Sequence, residues 1–107
     1  MKKIVAFKSY YKDFMASMSR EEQLKIRRVL ALFETQDLIP HHYIKYVGNA
    51  IFELRITLPT REVRIFFIYD GDTMVVLFKC FIKKTQKTPK KEIEKAIKLK
   101  REYEESK

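Results

Sequence analysis

The chain has 107 residues, 46% apolar and 13% aromatic, with only two glycines, a composition that describes one packed core and excludes a disordered or low-complexity binder. Lysine and arginine number 23 against 14 acids, a net charge of +9, which suits a polyanionic partner. With neither a run of about 20 apolar residues nor a signal peptide, the expectation is a cytoplasmic protein without a membrane partner, one domain over residues 1–107.

In chain order, residues 3–7, "KIVAF", read as a short strand and residues 9–18, "SYYKDFMASM", as a helix ending at Ser19. Ser19 and Glu22 have the spacing of a capping box, in which hydroxyl and carboxylate satisfy each other's orphan amides, so a second helix starts near residue 20. Its apolar stripe, Ile26, Val29, Leu30 and Phe33, follows i, i+3, i+4, i+7, and it stops before Pro40. After a loop through "PHHYIKYVGN" the period changes to two, with Phe52, Leu54 and Ile56 alternating with Glu53, Arg55 and Thr57. "EVRIFFIY" (62–69) and "TMVVLFKCFIK" (73–83) follow, joined at Asp70-Gly71, a hairpin turn signal. From Pro89 a helix returns, with Ile93, Ala96, Ile97 and Tyr103 as its apolar side, Thr88 as N-cap and Pro89 at the first helical position. The order is β-α-α-β-β-β-α, an α+β fold in which an N-terminal helical hairpin and a C-terminal helix pack on an antiparallel sheet.

The segment "FIKKTQKTPKK" (81–91) carries five lysines where a strand gives way to a helix. Cations at a helix start oppose the macrodipole by about 0.3–1 kcal/mol each, whereas free N–H groups and flanking lysines together suit a phosphate. Symmetric closure of the hairpin around Gly71 and Asp72 sets Arg64 opposite Lys79, a like-charge pair that costs up to about 1 kcal/mol unless an anion lies between. Lys83 shares the parity of Lys79, and Arg55 lies on the polar side of its strand with Glu53. A sheet face bearing Arg55, Arg64, Lys79 and Lys83, bordered by Lys84, Lys87 and a helix N-terminus, results.

Blander readings stand beside each piece. Arg55 with Glu62, or Arg64 with Glu53, describes surface ion pairs worth ~0–1 kcal/mol, and the lysine run describes a solvated segment. His41 and His42 have no carboxylate or cysteine at metal spacing and read as loop residues. Cys80, the single cysteine, reads as a small buried hydrophobe. Phe66 and Phe81 share the charged face by parity, either as core under a covering segment or as platforms for bases.

"FELRI" (52–56), "REVRIFFIYDGD" (61–72) and "FKCFIKKTQKTPKKEIEKAI" (78–97) together resemble the Gp49-like branch of the HigB toxins, within the RelE/ParE superfamily. The resemblance is densest over 52–97; over 10–40 only the two-helix hairpin and the loop lengths agree. It implies a RelE-like toxin that enters the ribosomal A site, cleaves mRNA and is neutralised by a helix-turn-helix antitoxin of HigA type. Its active surface maps to Arg55, Arg64, Lys83 and Lys84. Relatives often carry histidine at the position of Lys79, and many RelE-type enzymes have a tyrosine near the C-terminus that assists proton transfer. Thr88-Pro89 occupies that region here and Tyr103 lies too far along the helix, so the general base stays open.

The residues themselves are compatible with ribonuclease action without metal or other cofactor: the RNA 2′-OH attacks the adjacent phosphate, and cations neutralise the charge that develops. Arg64 is expected to stabilise the transition state and Arg55 to clamp the phosphate. Lys83 or Lys84 would protonate the 5′-oxygen or act as base, with Glu53 as another candidate base. Lys79, Lys87, Thr88, Lys90 and Lys91 would contact RNA. Two other readings remain: a ParE-like toxin that poisons DNA gyrase, and a basic module that binds nucleic acid without catalysis.

Overall fold

The computed structural model describes residues 2–36, 41–84 and 87–107; Pro40 lies outside them, as do Thr85 and Gln86, and the second helix ends at Thr35, before Pro40 as expected. Its elements are β1 (Lys3–Ala6), α1 (Tyr10–Ala16), α2 (Arg20–Thr35), a 3-10 turn (His41–Tyr43), β2 (Ile44–Gly48), β3 (Ile51–Thr57), β4 (Glu62–Asp70), β5 (Met74–Ile82) and α3 (Lys90–Glu105). The strands form one five-stranded sheet in the order β1-β5-β4-β3-β2, a small α+β domain.

The sheet is mixed, where an antiparallel one was expected. β1 runs parallel to β5 because α1 and α2 carry the chain across one face to the far edge, so that β1 is left beside the last strand. The second correction is β2, formed from residues read as loop. It is an edge strand whose pairing with β3 shifts register between Tyr46 and Gly48, and that irregularity hides the two-residue period.

The capping box starts α2 as expected: Glu22 N–H donates to Ser19 Oγ and Ser19 N–H to Glu22 Oε1. Its stripe of Ile26, Val29, Leu30 and Phe33 is buried against Leu54, Ile56, Val63, Ile65 and Phe67. Burying side chains of this kind stabilises by about 1.5–3 kcal/mol each before entropy is counted. Phe33 meets Phe67 edge to face with centroids 5.1 Å apart.

α3 covers the opposite face, where Ala96 and Leu99 pack on Ile51, Phe66, Ile68, Val76 and Phe78. Its C-terminal half is tied down by Tyr103 Oη donating to Asp70 and by Lys8 pairing with Glu102 at 2.6 Å. Its first turn borders the part of this face that carries the charges.

The hairpin departs from symmetric closure twice. Asp70 pairs with Met74, so the loop has three residues, with Gly71 at φ 71° in the left-handed region that glycine enters without strain. Further along, Ile65 pairs with Cys80 and Phe67 with Leu77. Phe78 and Lys79 therefore both stand opposite Phe66, a β-bulge. Arg64 consequently faces Phe81 and not Lys79. A one-residue slip turns a strand over, but two slips restore the parity. Lys79, Phe81 and Lys83 remain on the face of Arg64 although each partner has moved by two residues.

Candidate anion-binding cleft

β3 and β4 place Arg55 directly opposite Arg64. The like-charge pair expected between Arg64 and Lys79 is thus present with a different partner. Two cations in register repel, and the anion between them is Glu53. Its Oε1 accepts from Arg55 Nε at 3.4 Å and lies 3.7 Å from Arg64 Nε. Its Oε2 accepts from the Thr88 hydroxyl at 2.7 Å. Glu53 is 1% exposed and Arg64 4%, so these groups belong to the interior and not to a solvated surface pair.

The Thr88 bond corrects one expectation. Thr88 does not cap α3, whose N-cap position is Pro89 without a side-chain bond. A buried carboxylate costs more to leave unpaired than a helix end open to water, so the hydroxyl is drawn to Glu53. The effect is to pin the segment after β5 onto β3.

Arg55, Arg64, Lys83, Lys84, Lys87, Glu53 and Thr88 line one cleft of about 360 Å³, together with Phe81, Ile82, Pro89 and Glu92. Five cationic groups thus face two carboxylates, and one of these, Glu53, is already surrounded. Glu92 is held by Lys79 at 2.6 Å. That bond takes Lys79 out of the cleft and explains why it is not among the lining residues. Lys90 and Lys91 are exposed on the first turn of α3 and do not line the cleft either.

One atom at this site is not satisfied. Arg64 Nη1 is buried and has no hydrogen-bond partner among the described residues. Glu62 Oε1 lies 3.2 Å away as an ion-pair contact without hydrogen-bond geometry. A buried donor left without a hydrogen bond costs about 1–3 kcal/mol, a cost that the Glu62 charge offsets only in part.

Glu92 was not foreseen as part of this surface. Its signal was its place three residues after Pro89, on the helix turn that faces β5. Phe66 is core, as the blander reading held, whereas Phe81 is half-buried and reaches the cleft. Cys80 is buried, and burial pushes its thiol up to about 12, the behaviour of a packing residue.

Among the described residues no helix is long and apolar enough to cross a membrane. The sequence pattern of the family described as phage-derived protein Gp49-like matches residues 13–101. No curated protein matches the chain significantly. Among solved structures, the solution structure of the conserved hypothetical protein HP0894 from Helicobacter pylori aligns with a TM-score of 0.50 at 14% identity. The alignment covers 77% of this chain and 94% of that one. At that identity the likeness concerns the arrangement of helices and strands alone.

Proposed function

The chain belongs to the phage-derived Gp49-like family, and we propose that it is the toxin of a type II toxin–antitoxin pair, a ribosome-dependent endoribonuclease that cleaves mRNA without a metal. On this reading the five-stranded sheet and its helices are a RelE-like scaffold. The observation that carries the proposal is Arg64 Nη1, a buried guanidinium donor that makes no hydrogen bond among the described residues, in a cleft whose charged lining is five cations to two carboxylates.

The RNA 2′-OH attacks the adjacent phosphorus and gives up its proton to water, the bond to the 5′-oxygen breaks, and the products are a 2′,3′-cyclic phosphate and a 5′-OH end. Negative charge grows on the phosphoryl oxygens as the new bond forms. Arg64 donates to that charge from a position held in advance, and Arg55, one-third exposed, clamps the strand from the outer side. Lys83 and Lys84 stand at the end of β5, where either ammonium can protonate the leaving 5′-oxygen. Glu53 acts as a positioning residue, since both of its oxygens are engaged by Arg55, Arg64 and Thr88. The ribosome presents the mRNA strand in the geometry that the attack needs. The partner that silences the toxin is a helix-turn-helix antitoxin of HigA type, and the compartment is the cytoplasm.

The test is to induce the chain in a bacterial host and map mRNA by primer extension. Discrete new 5′ ends within translated regions, with growth restored by the cognate antitoxin, are the expected outcome. Intact mRNA with a DNA-damage response would replace this reading with gyrase poisoning.

A further inference from the structure

Glu62 is the first residue of β4 and shares its carboxylate between two cations of the cleft. Oε1 lies 3.2 Å from Arg64 Nη1, and Oε2 lies 3.6 Å from Lys83 Nζ. Neither contact has hydrogen-bond geometry. The other carboxylates here are held closely: Glu92 by Lys79 at 2.6 Å and Glu53 by Thr88 at 2.7 Å. Among the described residues of this site, Glu62 alone combines two cationic neighbours with loose geometry and a side chain 31% exposed.

We infer that Glu62 is a built-in competitor, a carboxylate that occupies the donors of Arg64 and Lys83 until an RNA phosphate takes them; this rests on the reading of the cleft as an RNA phosphate site. The backbone permits the exchange. Lys83 N–H donates to the Glu62 carbonyl at 2.8 Å, and Glu62 pairs with Thr57 across the β3–β4 ladder. The main chain is therefore fixed while the carboxylate is free to turn into water. Nη1 itself is buried, so a phosphate oxygen meets it only as the Glu62 carboxylate swings out.

The consequence is selectivity for a polyanion. A free phosphate must displace Glu62 with the contacts of one group. An RNA strand displaces it while its neighbouring phosphates meet Arg55, Lys84 and Lys87, which line the same cleft. Glu62 thus weakens small anions proportionately more than the substrate.

The experiment measures binding of a short, fluorescently labelled 2′-O-methyl RNA, which cannot be cleaved, by anisotropy, with a thermal melt of every variant. Glu62→Gln removes the charge and keeps the shape; it is expected to tighten binding about fivefold, the size of one partly exposed ion pair. Glu104→Gln, the same charge change on exposed α3, is expected to move affinity less than about twofold. In an Arg64→Ala background the Glu62→Gln gain should shrink, and with Lys83→Ala added it should vanish, because both donors under competition are then gone. Glu62→Ala is read the same way and guards against effects peculiar to the amide. If Glu62→Gln binds equally or more weakly while Arg64→Ala binding is lost, Glu62 positions the cations and the inference is overturned, with the cleft reading intact. If wild type and all variants bind alike, Arg64→Ala included, both are overturned.

Discussion

Two guanidinium–carboxylate sites in this chain have opposite designs. Arg61 and Glu22 lie at the surface and are complete: Arg61 Nε donates to Oε2 at 2.8 Å and Nη2 to Oε1 at 2.9 Å. Arg64 lies in the interior and is incomplete, with Glu53 at 3.7 Å, Glu62 at 3.2 Å and Nη1 lacking a hydrogen bond. If stability alone selected the arrangement, the better geometry would be found where desolvation is costly. The order is reversed. The surface pair staples the start of α2 to the loop before β4, whereas the buried arginine keeps looser contacts, as the proposed role in phosphate binding requires.

Arg64→Ala breaks the comparison at its centre and has the largest expected effect. Single-turnover cleavage of mRNA on programmed ribosomes should fall by roughly 10²–10³, the usual cost of one transition-state donor. Stability should fall by only about 1 kcal/mol, because Glu53 keeps Arg55 and Thr88. Arg64→Lys should recover part of the rate, since an ammonium lacks the planar fork that matches phosphate oxygens. Cleavage at the wild-type rate in Arg64→Ala would make this arginine structural.

Glu53→Gln comes next. It leaves Arg55 and Arg64 facing each other without their shared anion, and removing one partner of a buried ion pair costs about 3 kcal/mol. Chemical denaturation checks this. A variant as stable as wild type would show that water already screens the two guanidiniums.

The lysine tract sharpens the boundary of the site. Lys83→Ala or Lys84→Ala should lower cleavage about tenfold, the value of one charge-assisted hydrogen bond. Lys90→Ala and Lys91→Ala, outside the cleft, should lower it less than about twofold. Equal losses for all four would indicate a diffuse electrostatic footprint.

The smallest effect belongs to the surface pair. The Arg61 hydrogen bonds, and then the Ser19 amide, lower Glu22 from 4.5 to about 2. A depressed carboxylate adds stability that is fully present above its unfolded value and lost as pH falls through its folded one. The melting-temperature advantage of wild type over Glu22→Gln should therefore be constant above about pH 5 and shrink toward pH 2. An advantage independent of pH would mean that shape and not charge holds this contact.

α2 and the alternation of β3 could be read from the sequence because both rest on local rules: a cap at Ser19 and Glu22, a 3.6-residue stripe, a two-residue period. The sides of the strands were legible for the same reason, which is why Glu53, Arg55, Arg64 and Lys83 could be assigned to one face before any partner was known. β2 was not legible, because an edge strand pairs on one side only and its register shift between Tyr46 and Gly48 breaks the pattern. Nor was the cross-strand partner of Arg64: its distance from the turn is set by loop length and by the bulge opposite Phe66. Thr88 read as a cap because local spacing favours one, and only the fold brings Glu53, 35 residues away in sequence, within 2.7 Å of its hydroxyl. By itself the sequence determined which residue types share a face, since pleat and helix period are properties of neighbouring residues. The tertiary structure alone decided which cations are held closely and which, among the described residues, keeps a donor without a hydrogen bond, because ion pairing depends on distances between segments that no local period encodes.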